Sequence, residues 1–320
     1  MDKNSKIMVA GHKGMVGSAI VRELSSRGYV NLATVDRNEA DLRNQQQVFD
    51  RMESASPEVV VIAAAKVGGI MANNIYRGEF LYDNLMIEAN LIEASRRVGV
   101  KKLLFLGSSC IYPKFAEQPI REESLLTGTL EFTNEPYAIA KITGIKLCES
   151  YYRQYGCNYF SAMPTNLYGP GDNFDLEKSH VLPALMRKFH EAKAAGKDHV
   201  MVWGTGTVLR EFMYVEDLAS ALAFLLENVD AKDIYEKEIS HINIGTGSDV
   251  TISALAELVK DITGYKGKII YDTSKPDGTP RKLMDSSRLH ELGWESSVSL
   301  EEGIRRTYKW FLENIETIKR

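Results

Sequence analysis

The stretch that decides the fold is Ile7-Met-Val-Ala-Gly-His-Lys-Gly-Met-Val-Gly17. Its first four residues are apolar and predict a strand that is buried on both faces, and a helical pattern from Gly17 to Gly28 follows. Glycines between a buried strand and a helix permit a tight turn, and they let backbone amides come close to a phosphate group. The stretch therefore predicts a dinucleotide-binding turn formed by Gly11, His12, Lys13, Gly14, Met15, Val16 and Gly17.

The alternation of buried strands and helices continues through the first half of the chain. Apolar runs that indicate strands lie at residues 31–35, 58–65, 101–106 and 158–163. Helical patterns lie at residues 44–53, 84–98 and 138–155. Such an alternation is typical of a parallel sheet with helices on both of its faces.

The character of the sequence changes after Pro164, where glycine-bearing loops separate short strand patterns at residues 200–203, 241–244 and 269–271. We therefore predict an α/β protein built on a Rossmann-type doubly wound parallel sheet, with residues 1–178 as its core. A smaller C-terminal α/β lobe, mainly residues 179–320, is expected to bind the substrate. Some segments of this lobe are expected to return to the first domain.

The composition excludes several classes of protein. A chain of 320 residues with 44% hydrophobic and 26% charged residues is large enough for one big core or two unequal lobes. Apolar runs fall short of the ~20 residues that a membrane-spanning helix needs, and the start of the chain has no signal-peptide pattern, so we expect a cytoplasmic protein. A net charge of -4 with dispersed Lys and Arg argues against a nucleic-acid partner. The three cysteines have no metal-ligand spacing, so we predict neither a disulfide framework nor a metal site.

Two charged residues of opposite sign follow the second predicted strand, where the adenosine ribose of a dinucleotide is read. Asp36 favours a free 2′-hydroxyl, whereas Arg37 favours a 2′-phosphate. Arg37 together with Lys13 in the glycine turn favours NADP over NAD. The alternative is that both are solvated charges of a turn. Asp41 and Leu42, just beyond, are weaker candidates for the border of the adenine site.

A candidate catalytic set comes next in the chain. Tyr137 and Lys141 are four residues apart in a predicted helix and so share a face, which lets the lysine lie beside the phenol and the cofactor ribose. A nearby cation and the oxidised nicotinamide favour the phenolate and are expected to lower the pKa of the tyrosine from its ordinary value near ~10. Ser108 ends a predicted strand, where ligands bind in open parallel sheets. The set is typical of hydride transfer to and from a carbonyl group.

These residues resemble the extended short-chain dehydrogenase/reductase family, and the resemblance covers the whole chain. Within the family, the likeness is to members that epimerise GDP-4-keto-6-deoxy-D-mannose at C3 and C5 and then reduce C4 with NADPH. The segments that carry it are 11–17, Gly107-Ser-Ser-Cys-Ile-Tyr-Pro113, Asn134-Glu-Pro-Tyr-Ala-Ile-Ala-Lys141, Pro164-Thr-Asn-Leu-Tyr-Gly-Pro170, Ser179-His180, Arg210-Glu-Phe212 and Lys275-Pro-Asp-Gly-Thr-Pro-Arg-Lys282.

The resemblance implies a role for each catalytic residue. Tyr137 would donate the proton to O4, with Lys141 on the ribose and Ser108 as a hydrogen-bonding support. Cys110 and His180 would act as base and acid in the epimerisation, which is chemically reasonable because a C4 ketone acidifies the hydrogens at C3 and C5. A thiol and an imidazole titrate close enough to neutral pH for this task. If the chain stays extended after Ser108, the side chains of Ser108 and Cys110 point to the same side.

The resemblance also implies binding residues on both lobes. Further cofactor contacts would come from Leu106, Gly107, Ser108, Ser109, Lys141, Pro164, Thr165, Asn166, Leu167 and His180. Contacts to the GDP part of the substrate would come from Lys188, Trp203, Arg210 and Asp277, with Lys282 as a weaker candidate. Family members often carry arginine where Lys188 and Lys13 stand, and lysine lacks the planar fork, so we expect these two contacts to be looser than in the family or absent. Homodimers that pair the helices at 84–98 and 138–155 are the family habit.

Other interpretations remain open beside this one. Cys110 could be a buried apolar cysteine, His180 a satisfied loop histidine, and Trp203 a core residue. Sugar-nucleotide 4,6-dehydratases carry an Asp-Glu pair where this chain has Ser109 and Cys110, which argues against dehydration. A 4-epimerase or a simple 4-reductase would need only the Ser, Tyr and Lys set. A dinucleotide sensor without catalysis would need only the glycine turn.

Overall fold

The computed structural model describes residues 1–176, 179–275 and 277–318. Its strands are β1 (Ile7–Ala10), β2 (Leu32–Val35), β3 (Val59–Ile62), β4 (Lys102–Leu106), β5 (Tyr159–Pro164), β6 (Asn166–Tyr168), β7 (His199–Trp203), β8 (Leu209–Tyr214), β9 (Ile242–Ile244), β10 (Asp249–Thr251), β11 (Lys268–Asp272) and β12 (Arg281–Lys282). Its helices are α1 (Met15–Ser26), α2 (Gln45–Ala55), α3 (Ile70–Ile75), α4 (Arg77–Arg97), α5 (Glu135–Tyr155), α6 (Val181–Ala194), α7 (Val215–Asn228), α8 (Ala231–Tyr235), α9 (Ile252–Thr263), α10 (Ser287–Glu291) and α11 (Leu300–Asn314).

The main sheet has the strand order β2-β1-β3-β4-β5-β9, and every neighbouring pair is parallel. The chain leaves β1 on one side to form β2 and then returns to form β3 on the other side. The carboxyl ends of β1 and β3 therefore enclose the point where ligands bind in open α/β sheets. The predicted doubly wound parallel sheet is confirmed.

Helices cover both faces of this sheet, because its strands are apolar on both sides. Ile20 of α1 and Leu222 of α7 belong to the buried cluster on one face. Leu91 of α4 and Ile145 of α5 belong to the cluster on the other face. The strands whose carboxyl ends border the ligand-binding point are therefore packed on both faces of the sheet.

The second lobe is built around β8, which pairs with β6, β10 and β12. Strands β7 and β11 form a separate parallel pair, and α6, α9 and α11 pack beside them in a third buried cluster. Two elements of the second half of the chain return to the first domain. Strand β9 pairs with β5, and α7 covers one face.

The strand pattern at 241–244 follows Pro164 together with the strand patterns of the smaller lobe, yet its residues join the main sheet. Ile242, Asn243 and Ile244 pair with residues of β5 and are buried. An apolar strand of three residues carries no sign of which sheet it joins, because the pairing is decided by distant residues. The predicted domain boundary falls at residues 177 and 178, which lie outside the described residues, and it remains a proposal. No helix in the described ranges combines the length and the apolar character that crossing a bilayer requires.

Candidate active site

The glycine turn lies between β1 and α1, as predicted. Gly11 has a positive φ of 94°, and its carbonyl accepts a hydrogen bond from the N–H of Gly14 at 3.0 Å. A Cβ at position 17 would lie 2.1 Å from that same carbonyl oxygen, so only glycine allows this approach. Gly14 caps α1 without a side-chain hydrogen bond, which leaves the first N–H groups of the helix for an anion. The turn fits the pyrophosphate of a dinucleotide.

The charged residues after β2 interact with the turn. The Lys13 ammonium forms an ion pair with the Asp36 carboxylate. The N–H of Asn38 and this ammonium lower the pKa of Asp36. Arg37 is exposed beside this pair. Asp36 is therefore already engaged by a cation, whereas Arg37 remains exposed to solvent.

The next two candidates lie on the way from β2 to α2. Asp41 forms an ion pair of 2.7 Å with Arg43, whose hydrogen bonds lower the pKa of Asp41 to about 2. The carbonyl of Leu42 accepts a hydrogen bond of 3.0 Å from the side chain of Asn90 on α4. Asn90 of α4 thus holds the backbone at Leu42, and Arg43 holds the side chain of Asp41.

The chain after β4 does not stay extended, in contrast to the sequence-based argument about Ser108 and Cys110. Ser108 is extended, but residues Ser109–Ile111 form one 3-10 turn, with the N–H of Ile111 bonded to the carbonyl of Ser108 at 3.1 Å. The turn nevertheless keeps the two side chains together, since a hydrogen bond with Ser108 acts on the Cys110 thiol. The Cys110 residue is 7% exposed. A tight turn, not strand alternation, brings the hydroxyl and the thiol to one place.

Tyr137 joins this pair from the first turn of α5. Its hydroxyl interacts with both Ser108 and Cys110, and its ring meets Phe80 edge-on at a centroid distance of 6.3 Å. Burial raises the pKa of Tyr137 well above its ordinary value, Cys110 and Glu88 add to the rise, and Ser108 opposes it. The lower pKa expected from the sequence applies to the tyrosine beside both a cation and the oxidised nicotinamide, and it stays a prediction for the protein with bound cofactor. A tyrosine with a high pKa keeps its proton and suits the role of a donor.

Lys141 lies one turn further along α5 and points into the protein. Its ammonium is 5.9 Å from the centroid of the Tyr137 ring and 4.6 Å from that of Phe105. It also lies 2.8 Å from a carboxylate oxygen of Glu88 on α4. Glu88 is not among the residues predicted for the site. An acid on the apolar stripe of a helix is nevertheless unusual enough to indicate a buried partner.

Cys110 and His180 share an electrostatic neighbour, the ammonium of Lys282. Burial raises the pKa of the Cys110 thiol, whereas Lys282, Ser108 and Lys141 oppose this. His180 immediately precedes α6 and is solvent-accessible, yet the protein atoms that surround its ring, and then Lys282, lower its pKa. The weaker candidate Lys282 thus lies beside the two residues assigned to epimerisation, a placement that the sequence did not indicate.

The remaining cofactor candidates follow the carboxyl ends of β4 and β5. A Cβ at Gly107 would lie 2.2 Å from the Met163 side chain, so β4 and β5 approach closely there. The side chains of Thr165 and Asn166 donate to the carbonyl of Glu211 at 3.3 and 2.8 Å. Leu106, Ser109, Pro164 and Leu167 are their chain neighbours at this edge. The structure thus brings these candidates to the edge that also carries Ser108.

The four candidates for the GDP part form one cluster in the second lobe. The Lys188 ammonium lies 4.9 Å from the Trp203 ring centroid, and Lys275 lies 5.4 Å from it on the same ring. Trp203 is 41% exposed and is therefore not a core residue. The Asp277 carboxylate accepts the N–H of Thr205 at 2.8 Å, and its carbonyl accepts a bond from Arg210 at 3.2 Å. An exposed indole with cations around it fits a base and a diphosphate.

A second residue that the sequence analysis passed over, Glu211, holds this region together. It is fully buried on β8, directly after Arg210. Its carboxylate accepts backbone N–H groups of Thr246 (2.6 Å), Gly247 (2.9 Å) and Met284 (3.1 Å). Glu211 thus connects β8, which carries Arg210, with the segment just after β12, which carries Lys282.

Comparisons with known proteins agree with this geometry. Residues 7–245 match the family described as the NAD dependent epimerase/dehydratase family. GDP-L-fucose synthase 1 of Arabidopsis thaliana is 57% identical over 314 residues, which cover 98% of this chain and 95% of that protein. GDP-L-fucose synthase of Escherichia coli is 56% identical over 313 residues, 97% of each chain. The crystal structure of a GDP-L-fucose synthetase from Naegleria fowleri bound to NADP has a TM-score of 0.88 at 29% identity and covers 100% of this chain and 98% of that one.

Proposed function

The chain belongs to the NAD dependent epimerase/dehydratase family, and from this premise we propose that it converts GDP-4-keto-6-deoxy-D-mannose to GDP-L-fucose. It is an NADP-dependent enzyme that epimerises C3 and C5 and then reduces the C4 ketone. The observation that carries the proposal is the place of the buried Cys110 thiol in the turn after β4, where Ser108 hydrogen-bonds to it and its charge acts on Tyr137. A reductase alone has no use for a thiol at this place.

In the epimerisation, Cys110 takes a proton from C3 or C5, and His180 returns one on the opposite face. The raised pKa of Cys110 keeps the thiol protonated at neutral pH, and Lys282 supplies the positive charge that stabilises the thiolate. The lowered pKa of His180 makes its imidazolium a stronger acid, and it also reduces the fraction of His180 that is protonated at neutral pH. Because the pKa of His180 lies below that of the thiol, the form with both a thiolate and an imidazolium is a minor one. We therefore expect exchange to rise with pH up to the pKa of His180, to stay level between the two pKa values and to fall above the pKa of the thiol.

In the reduction, Tyr137 donates the proton to O4, because its high pKa keeps the hydroxyl protonated until the alkoxide forms. Ser108 bonds to this hydroxyl and orients it. Lys141 provides the positive charge on the inner side of the tyrosine ring. NADPH, when bound, supplies the hydride.

The glycine turn would hold the pyrophosphate of NADPH, and Arg37 would meet the 2′-phosphate. The turn supports this because a Cβ at Gly17 would collide with Gly11, and because α1 offers free N–H groups. Arg37→Ala should raise the KM for NADPH and leave the KM for NADH nearly unchanged. An equal change in both values would remove Arg37 from the 2′-phosphate site.

The cluster in the second lobe would bind GDP. Trp203 offers a flat apolar face, and Arg210 on β8 points its guanidinium to the loop that contains Asp277. The Lys188 ammonium lies over the indole and donates a hydrogen bond of 3.2 Å to the carbonyl of Met201, so its positive charge could also meet a phosphate. Burial lowers the pKa of Lys188, and a bound phosphate would restore it.

We also propose that the chain forms a homodimer through α4 and α5. These helices pack against each other, and each presents an apolar residue to solvent: Tyr82 is 60% exposed and Ile139 is 42% exposed. Apolar side chains on two neighbouring helices fit a four-helix contact across a two-fold axis. Light scattering should give twice the chain mass, and Tyr82→Glu should give the single mass.

One assay tests the whole proposal. Purified protein is mixed with GDP-4-keto-6-deoxy-D-mannose and NADPH in deuterated water, and absorbance and proton spectra are followed together. We expect NADPH oxidation and deuterium at C3 and C5 of the product. Oxidation without deuterium would indicate a 4-reductase instead, and neither signal despite NADPH binding would indicate a dinucleotide sensor.

A further inference from the structure

A buried ion pair lies directly behind the proposed catalytic tyrosine. Glu88 of α4 and Lys141 of α5 have side chains that are 1% and 2% exposed, and their charged atoms are 2.8 Å apart. Charges buried this deeply are rare unless each has a partner, since removal from water costs several kcal/mol per ion. The pair therefore has to be explained by what it does at this place.

The Glu88 carboxylate depends on Lys141 alone for its compensation. Neither of its oxygens makes an aligned hydrogen bond within the described part of the chain. Gly144 leaves room for it, because a Cβ at that position would lie 2.9 Å from a Glu88 oxygen and 2.4 Å from the Phe105 ring. Gly144, the Phe105 ring and the Lys141 ammonium thus surround this carboxylate.

The titratable groups that face Glu88 all come from α5: Lys141, Tyr137 and Cys148. From β4 it meets the uncharged ring of Phe105. Burial raises the pKa of Glu88 to about 7, although Lys141 opposes this. Burial also raises the pKa of Cys148 to about 12 and that of Tyr137 well above its ordinary value.

We propose that Glu88 is a positioning residue of the reductive step, which fixes the Lys141 ammonium beside Tyr137 and limits how much of its charge acts on the phenol. The inference rests on the proposed function, because it assigns a partner to the proton donor of the reduction. Glu88 touches neither substrate nor cofactor and acts only through the lysine.

The proposal has a definite direction. An ionised Glu88 disfavours the phenolate and so holds the proton on Tyr137 to higher pH. Without that negative charge, the full field of Lys141 acts on the phenol, and Tyr137 loses its proton at lower pH. The alkaline limb of the reduction profile should therefore move to lower pH when the carboxylate is replaced.

The test compares Glu88→Gln with Glu93→Gln, a matched change on the same helix. Glu93 pairs with Arg96 and Arg97, and these contacts lower its pKa to about 2, so its charge does not change near neutral pH. We expect the alkaline limb of the NADPH oxidation rate to move down by about one pH unit in Glu88→Gln and to stay in place in Glu93→Gln. Coinciding profiles of wild type and Glu88→Gln would overturn the proposal.

Two further measurements keep the result interpretable. Deuterium exchange at C3 and C5 should persist in Glu88→Gln, because Lys282 and Ser108 act on the Cys110 thiol more strongly than Lys141 does. A parallel loss of both activities would show a general structural role instead. If Glu88→Gln does not fold, Glu88→Asp keeps the charge but withdraws it from the ammonium. Its limb should then shift in the same direction by a smaller amount, and an unshifted limb contradicts the inference. Absence of NADPH oxidation in the wild type would sink the proposed function itself and is thereby distinguished.

Discussion

Arg210 donates a hydrogen bond of 3.2 Å to the carbonyl oxygen of Asp277, and the Asp277 carboxylate holds the N–H of Thr205 two residues beyond Trp203. The guanidinium, the loop and the indole are therefore parts of one connected arrangement. A substitution of Arg210 should therefore weaken the binding of the nucleotide sugar itself.

Arg210→Lys keeps the charge but loses the planar fork that can hold a diphosphate and the Asp277 carbonyl together. We expect the KM for the nucleotide sugar to rise about 10- to 100-fold, with a much smaller change in kcat. Steady-state kinetics measure this, with Arg305→Lys on the exposed face of α11 as the control. A fall in kcat at constant KM would place Arg210 in the chemistry instead.

Cys110→Ser replaces the proposed base with a hydroxyl that ionises far less readily. Deuterium exchange at C3 and C5 should fall at least about 100-fold. Cys157→Ser, the same change at a half-buried cysteine after α5, should leave exchange unaltered. Normal exchange in Cys110→Ser would mean that another group takes the proton.

Tyr137→Phe removes the hydroxyl that meets Ser108 and Cys110. We expect NADPH oxidation to fall about 10²- to 10⁴-fold while exchange at C3 and C5 continues. Tyr155→Phe, at the exposed end of the same helix, serves as the control. If exchange stops together with reduction, the two steps do not use separable residues.

Gly144→Ala tests the close approach of α5 to the sheet. The new Cβ would lie 2.4 Å from the Phe105 ring, so the ring and Glu88 must move. We expect a loss of about 1–3 kcal/mol in the free energy of unfolding, measured by denaturant titration. Gly78→Ala is the matched control, because that helical glycine has nothing within 4 Å of its new Cβ. Equal stability of the two variants would contradict the packing described for Gly144.

Glu227 provides a pH test of stability away from the site. Burial raises its pKa, but bonds with Lys3, Tyr29 and Arg27 outweigh this and lower the pKa to about 2. A depressed carboxyl pKa stabilises the fold above the unfolded-state value and loses this effect as pH falls towards the folded-state value. Glu227→Gln should therefore lower stability by about 1 kcal/mol at pH 7, since solvent screens the partly exposed group. The difference should shrink between about pH 5 and pH 2, and thermal unfolding at several pH values would show whether it does.

The sequence predicted well where the pattern is local. The strand at residues 7–10 has the predicted bounds, because four consecutive apolar residues before a glycine turn leave few alternatives. Helix α5 brings Tyr137 and Lys141 to one side as their spacing indicated. Strand β8 was not predicted, because Arg210 and Glu211 place two charges inside it and conceal the apolar residues beyond them.

Long-range pairing explains the other differences. Glu88 is compensated by a lysine 53 positions away in the sequence, and no local pattern reveals which acid meets which base. The 3-10 turn after Ser108 depends on a single hydrogen bond that strand periodicity does not predict. These interactions decide the charges around Tyr137, so the sequence could supply candidate site residues but not the pKa directions of the chain by itself.

The place of β9 at the edge of the main sheet has a practical consequence for dissecting the protein. A fragment that stops before the second lobe would leave the backbone groups of β5 unpaired along residues 162–164 and would lack the apolar face of α7. Unpaired strand edges next to exposed apolar surface recruit other chains. The first 178 residues should therefore aggregate when expressed alone, and co-expression with the remainder should rescue them only if β9 can dock in trans.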